Sequence, residues 1–296
     1  MLECVPNFSE GRRPEVIDEL AAVVEAIAGV RLLDRHSDVD HNRSVLTFAG
    51  PPDAVAEAAF RAAEVAVKRN DLRQHRGAHP RMGAVDVIPM VPLGAASIED
   101  AAEAARVVAR RIGDELEVPV WLYGAAAAPG RPAELRAIRG DGFEALLALG
   151  DRLPAPDFGP RSLHPAAGGT AVGARLPLVA FNVVLDTDRV EVARRLAQAV
   201  RASSGGLPGV QALGVMLPTR GRAQVTMNLL DHHRTGIAAV LESLQRAAAA
   251  EGVGLTEAEL VGLAPAEALL GLEDDDLPGL PTAAASIEAR LAESGL

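Results

Sequence analysis

Apolar side chains along this chain follow two alternating rhythms. Val16, Ile17, Leu20, Val23, Val24 and Ile27 recur at helical spacing, so residues 14–28 predict an amphipathic helix between short apolar runs at 2–6 and 30–34 that read as strands. A further strand is expected at 44–48. Pro51-Pro52-Asp53 then opens a helix reaching Asn70, with Asp53 as its N-cap, and the apolar run 85–91 reads as a buried strand. Ser97 begins another helix, with Glu99 and Asp100 in its first turn, which runs to Ile112 and feeds a strand at 118–122. After a proline-rich connector at 153–165, strands are expected at 178–185, 210–217, 224–230 and 255–263, with helices at 188–202 and 237–250. The acidic residues 273–276, with Pro278 and Pro281 behind them, mark a solvated joint before a terminal helix.

The order βαββαβ therefore occurs twice. It predicts an α/β (α+β) protein of two ferredoxin-like βαββαβ subdomains, residues 1–176 and 177–296, with a ligand cleft between them. The competing reading is one larger α/β domain.

Composition narrows the function classes. The 296 residues are 49% hydrophobic and 23% charged, ordinary for a soluble globular protein, and few aromatics leave Ala, Val and Leu to fill the core. A net charge of −11 without a basic run argues against nucleic acid or an anionic membrane as partner. Any anion must then be held locally by arginine. One cysteine, Cys4, excludes an intrachain disulfide, and the chain shows neither a signal-peptide pattern nor a membrane-length apolar run, so a soluble, cytoplasmic protein is expected.

Chemistry concentrates in polar segments at strand ends. In residues 75–86, Gly77 and Pro80 oppose a helix, and the proline pushes His79 into extended or turn backbone beside Arg76, Arg81 and Asp86. Imidazole flanked by guanidinium suits proton transfer next to a bound carboxylate. Residues 5–12 place Asn7, Ser9 and Glu10 at the end of the first strand, where they either cap a turn or meet a ligand. Residues 36–43 carry His36, Asp38, Asp40, His41, Asn42 and Arg43; the first four are acceptable zinc or manganese ligands, although no specific ligand spacing accompanies them. Residues 157–170 are either a flexible linker or a loop stiffened by Pro160 and Pro165 whose glycines allow close approach to a flat ligand.

Laid out together, Glu3-Cys4-Val5-Pro6-Asn7-Phe8-Ser9-Glu10-Gly11, Asn42-Arg43, Gly77-Ala78-His79-Pro80-Arg81-Met82-Gly83-Ala84-Val85-Asp86, Asp157-Phe158-Gly159-Pro160, Ala180-Phe181-Asn182 and Val261-Gly262-Leu263 resemble the formiminotransferase family. The resemblance spans nearly the whole chain. It implies two α/β subdomains, a homodimer, and transfer of a formimino group from N-formimino-L-glutamate to N5 of the co-substrate tetrahydrofolate in histidine breakdown, with no metal. His79 would be the general acid/base, and a folate contact would fall on Gly159, Pro160, Arg161, Ser162, Leu163, His164, Pro165, Ala166, Ala167 and Gly168. For the glutamate substrate the candidates are Asn7, Glu10, His36, Asp38, Asn42, Arg43, Arg81 and Asp86. The chain departs from the animal members of the family at His36, where they place an aspartate, and at Ala167, where they place an aromatic, which passes the acidic role to Asp38 or Asp40. Animal members also carry a cyclodeaminase domain, to which nothing in these residues corresponds. Three alternatives stay open: N-formylglutamate as donor, since formyl and formimino differ by O for NH; a metal-dependent amidine or amide hydrolase using His36, Asp38, Asp40 and His41; and a non-catalytic folate-binding protein.

Overall fold

The first apolar run does not stay one strand. Pro6 lacks an amide proton, and the ladder divides into β1 (Leu2–Cys4) and β2 (Asn7–Phe8), both of which pair antiparallel with β4 (Arg43–Gly50) on one side and with β5 (Val85–Pro92) on the other. The computed structural model describes residues 1–272 and 277–295, so the joint expected at 273–276 lies outside the described residues. Its contacts divide into Met1–Leu176 and Pro177–Leu296, and the fold is mixed α/β with two sheets.

In the first unit, β3 (Arg31–Asp38) flanks β4, and the sheet continues through β1/β2 and β5 to β7 (Thr170–Ala174) and β6 (Val120–Gly124). The last two join in parallel register, Val87 opposite Ala171 and Trp121 opposite the same residue. Helices α1 (Pro14–Glu25), α2 (Pro52–Arg69) and α3 (Ile98–Glu115) supply the apolar faces that pack with it. Helix α1 buries Val16, Ile17, Leu20 and Val24, each worth about 1.5–3 kcal/mol on removal from water. Alanines at 58, 59, 62, 63 and 66 of α2 and at 101, 102, 105 and 109 of α3 are buried in the same core, where small side chains let backbones approach closely. Ser97 closes a capping box with Asp100 at the start of α3, as expected, whereas Pro51 rather than Asp53 is the N-cap of α2.

Two short helices, α4 (Leu135–Arg139) and α5 (Phe143–Leu149), were not foreseen. Nor was β7. The segment read as a connector is built into the first unit: Phe158 bridges to Val120, Gly168 bridges to Gly83, and β7 follows at once inside the sheet.

In the second unit, β8 (Val179–Leu185), α6 (Val190–Val200), β9 (Val210–Leu217), β10 (Arg222–Leu229), α7 (Ile237–Ala250) and β11 (Leu255–Leu260) form an antiparallel sheet in the order β11-β8-β10-β9, with α6 and α7 contributing to its core. The terminal helix is α8 (Ile287–Ser294), capped by Ser286. No helix among the described residues is long and apolar enough to cross a membrane.

Candidate active site

A small polar pocket in the first unit is lined by Ser9, His41, Asn42, Arg43, His75, His79, Pro80, Arg81 and Asp86. The empty space in it is about 190 Å³ with open solvent counted, so the enclosed part is smaller still and suits the reacting end of a ligand rather than a whole one.

Asn42 ties the surrounding loops together. It stands in left-handed backbone (φ 49°) at the β3–β4 turn, where asparagine is tolerated better than most residues. Its Oδ1 accepts from the Gly11 amide at 3.0 Å, its Nδ2 donates to the Arg76 carbonyl at 3.1 Å, and its own carbonyl accepts from His75 Nε2 at 2.7 Å. Because Arg81 Nε donates to His75 Nδ1 at 3.0 Å, the two ring nitrogens of His75 are both engaged and the neutral Nε2–H tautomer is imposed. Burial and the nearby Arg81 hold the His75 pKa below its ordinary value. Arg81 is committed as well: its guanidinium grips Glu144 through two bonds of 2.6 and 2.7 Å, and pulls that carboxyl down to about 2.

His79 is different. It is half-buried, and its Nδ1 has two neighbours, Arg43 Nη1 at 2.8 Å and the Pro80 carbonyl at 2.7 Å. A guanidinium only donates and a carbonyl only accepts, so each neighbour matches one tautomer of the neutral ring. A charged ring would face Arg43, and burial, Arg43 and Arg139 together push the His79 pKa well below the ordinary imidazole value. His41 lies beside it, with ring centroids 6.0 Å apart.

Arg43 is positioned by Asp86, which is 2% exposed and accepts from the Met82 amide at 2.8 Å and from Arg139 Nη2 at 2.8 Å, with Arg43 Nη2 at 3.7 Å. Burial, reinforced by Arg139 and opposed by Asp86, lowers the Arg43 pKa to about 10, which leaves it cationic at neutral pH. Its Nε is buried without a hydrogen-bond partner, a donor unmet by protein.

The pocket thus gathers Asn42, Arg43, His79, Arg81 and Asp86 from the residues singled out in the sequence, with His41, Ser9 and His75 as further lining. Arg139 was not foreseen, because α4 brings it from a segment with no catalytic pattern. The remaining expected residues lie elsewhere. Glu10 is buried against the start of α1, accepting from the Arg12 and Arg13 amides at 2.8 and 2.9 Å; burial works to raise its pKa, but these bonds and the Arg13 guanidinium outweigh it. Asn7 donates to the Val5 carbonyl. His36 and Asp38 belong to β3, which runs four residues beyond its expected end, and Asp38 accepts from the His41 amide at 2.6 Å. Among the described residues, His36, Asp38, Asp40 and His41 do not bring three ligand atoms together as a metal would require.

In the 159–168 loop, His164 and Gly168 exchange backbone hydrogen bonds, and His164 Nδ1 accepts from the Ala167 amide at 2.9 Å. Leu163, Ala167 and Gly168 are buried; Gly159, Arg161, Ser162 and Pro165 are exposed; Pro160, His164 and Ala166 are half-buried. Gly159 (φ 82°) is required by packing: a Cβ there would lie 2.6 Å from the Val118 carbonyl oxygen and 3.0 Å from Gly113 Cα.

A cationic pocket holding two neutral imidazoles, His75 with both ring nitrogens tied to protein and His79 between Arg43 and the Pro80 carbonyl, on strand-end loops of an α/β sheet is the make-up of an enzyme acting on a small anionic molecule. The formiminotransferase domain, N-terminal subdomain, matches residues 1–175, the formiminotransferase domain matches residues 180–274, and the chain belongs to this family of transferases. Glutamate formimidoyltransferase of Streptococcus pyogenes serotype M1 is 43% identical over 275 residues, covering 93% of this chain and 92% of that protein. The protein of the same name from Thermoplasma acidophilum is 39% identical over 273 residues, 91% of this chain and 90% of its own length. Formimidoyltransferase-cyclodeaminase of Sus scrofa is 42% identical over 277 residues, 91% of this chain but 51% of the longer protein.

Proposed function

We propose that this protein transfers the formimino group of N-formimino-L-glutamate to N5 of tetrahydrofolate, as a step of histidine degradation, with His79 as general acid/base. The observation that carries the reading is the neutral, half-buried His79 ring held between Arg43 and the Pro80 carbonyl. The names of the relatives support formimidoyl transfer from a glutamate derivative. The order β11-β8-β10-β9 supports a ferredoxin-like reading of the second unit; the first unit extends its βαββαβ core by β6 and β7.

Tetrahydrofolate, when bound, supplies a nucleophilic nitrogen. With Nδ1–H donating to the Pro80 carbonyl, His79 Nε2 is the base that removes the proton from that nitrogen. The imidazolium so formed is acidified by Arg43 and returns the proton to the departing glutamate nitrogen. Arg43 Nε donates to a ligand acceptor, for which its lack of any protein partner is the structural argument. For the folate, Arg161 is exposed and ion-pairs with no other described residue, which fits a carboxylate-bearing tail at the 159–168 loop. The buried Ala167 offers no aromatic face there.

The test incubates the protein with tetrahydrofolate and either formiminoglutamate or formylglutamate, and follows the folate absorbance. Turnover of the first donor that falls by about 10²–10⁴-fold in His79→Ala while folate binding persists supports the reading. Turnover confined to formylglutamate would move the donor assignment, and none with either would end it.

A further inference from the structure

Two of the seven histidines are adjacent in sequence, His232 and His233, in the turn between β10 and α7 of the second unit. The formimino-transfer reading has no use for them, and neither lines the His79 pocket. His232 is awkwardly placed: its side chain is 8% exposed, yet neither ring nitrogen has a hydrogen-bond partner. A buried imidazole with both nitrogens unmet costs stability, and natural folds seldom leave one so without a reason.

The geometry around it supplies the reason. Glu267, on the turn Ala266–Leu269, places Oε1 3.7 Å from His232 Nε2 and 3.8 Å from His233 Nε2, and ligand atoms of all three residues lie within 4.8 Å of one another. The two separations from Glu267 are too long for hydrogen bonds and a few tenths of an ångström above the donor spacing around a tetrahedral zinc ion, about 3.3–3.6 Å when each metal–ligand bond is roughly 2.0–2.2 Å; the widest, within 4.8 Å, closes by rotation of the exposed His233 and Glu267 side chains. We propose that His232, His233 and Glu267 form a binding site for one divalent transition-metal ion of the zinc type.

The donor set is chemically apt. Two neutral imidazoles and one carboxylate make a borderline site that prefers zinc, copper or nickel over calcium or magnesium. His233 and Glu267 are 65% and 58% exposed, so an ion enters from solvent and keeps water in its remaining position, while His232 anchors it from within. The ion would clasp the β10–α7 turn to the turn at Ala266–Leu269, cross-linking two segments of the second unit.

The full chain, stripped with chelator and dialysed, is titrated with zinc chloride and its bound metal measured, with cobalt(II) as a spectroscopic probe. Expected are one zinc per chain, visible cobalt bands, and a metal-dependent rise in Tm. His233→Ala and Glu267→Gln change exposed side chains and keep the far-ultraviolet circular dichroism of the parent. Each should weaken zinc binding by at least ~10-fold, the lower end of what loss of a ligand's supporting partner costs, and should abolish the cobalt bands. Substoichiometric uptake, or equal uptake by parent and both folded variants, would mean adventitious metal only and overturn the site.

Discussion

Arg43 Nη1 and His79 Nδ1 stand 2.8 Å apart, joining the first residue of β4 to the loop that leads into β5. An arginine this close to a histidine keeps the ring from holding a second proton. Removing His79 removes the proton acceptor itself: His79→Ala should lower kcat by about 10²–10⁴-fold. Tm should change little, since the ring is half-buried and Arg43, its one distant partner, keeps Asp86 beside it. The folate absorbance assay and a thermal melt separate the two effects, and a wild-type rate in the folded variant would dismiss the imidazole.

The pH profile follows from the same pair. A base must be unprotonated, so activity rises with pH through the His79 pKa, which lies below the ordinary imidazole value of about 6.5. The rate should therefore be flat across neutral pH and fall only under more acidic conditions. Burial lowers this pKa most and Arg43 next, so Arg43→Met should move the acid limb upward toward about 6.5, besides weakening substrate binding. An unmoved limb would show that Arg43 does not govern the ring.

His75 gives a prediction about stability rather than rate. His75→Leu strands the buried Asn42 carbonyl, at a cost of about 1–3 kcal/mol, and the part-buried Arg81 Nε donor, at less because water can reach it. Urea unfolding should register the loss. Its depressed pKa also has a pH signature: the unfolded chain takes up protons first, so stability is full above about 6.5 and declines as pH falls through the interval just below. In His75→Leu that part of the decline should shrink, leaving the losses at lower pH to carboxylates such as Glu144.

Gly113 reverses a common rule. Glycine to alanine inside an exposed helix ordinarily gains about 0.5–1 kcal/mol. Here a Cβ would fall 2.6 Å from the Gly159 amide nitrogen and 2.9 Å from the Phe158 carbonyl carbon, so Gly113→Ala should instead destabilise by about 1–3 kcal/mol. A Tm at or above that of the parent would show that the 158–159 backbone yields.

Elements with their own amphipathic rhythm were legible in the sequence. The strand Val210–Leu217 and the helix Ile237–Ala250 have the bounds that periodicity predicts, and the others in the second unit differ by a few residues. What escaped was decided by tertiary pairing. The pentapeptide of β7, Thr-Ala-Val-Gly-Ala, is too short and too weakly β-prone to announce a central strand, and becomes one because β5 and β6 flank it. The polar stretch His36-Ser37-Asp38 reads as loop, but β3 has a neighbour on one side only, where polar residues are at home. In the pocket, His79, Arg43 and Asp86 stood out by residue type and proximity to strand ends, whereas Arg139 lies 53 positions from its partner Asp86 and sends no local signal. Local pattern also could not reveal that Asn42, Arg81 and Asp86 already have protein partners.

The place of β7 bears on the order of events during synthesis. β6 leaves the ribosome some fifty residues before β7, yet it reaches the rest of its sheet through β7 alone. Until residue 174 has emerged, Trp121 and its neighbours have no sheet strand to dock on, so β6 should join last, onto a sheet whose first five strands can already have paired. A nascent chain that ends before Thr170 would leave the β5 and β6 edges that β7 covers open to wrong partners.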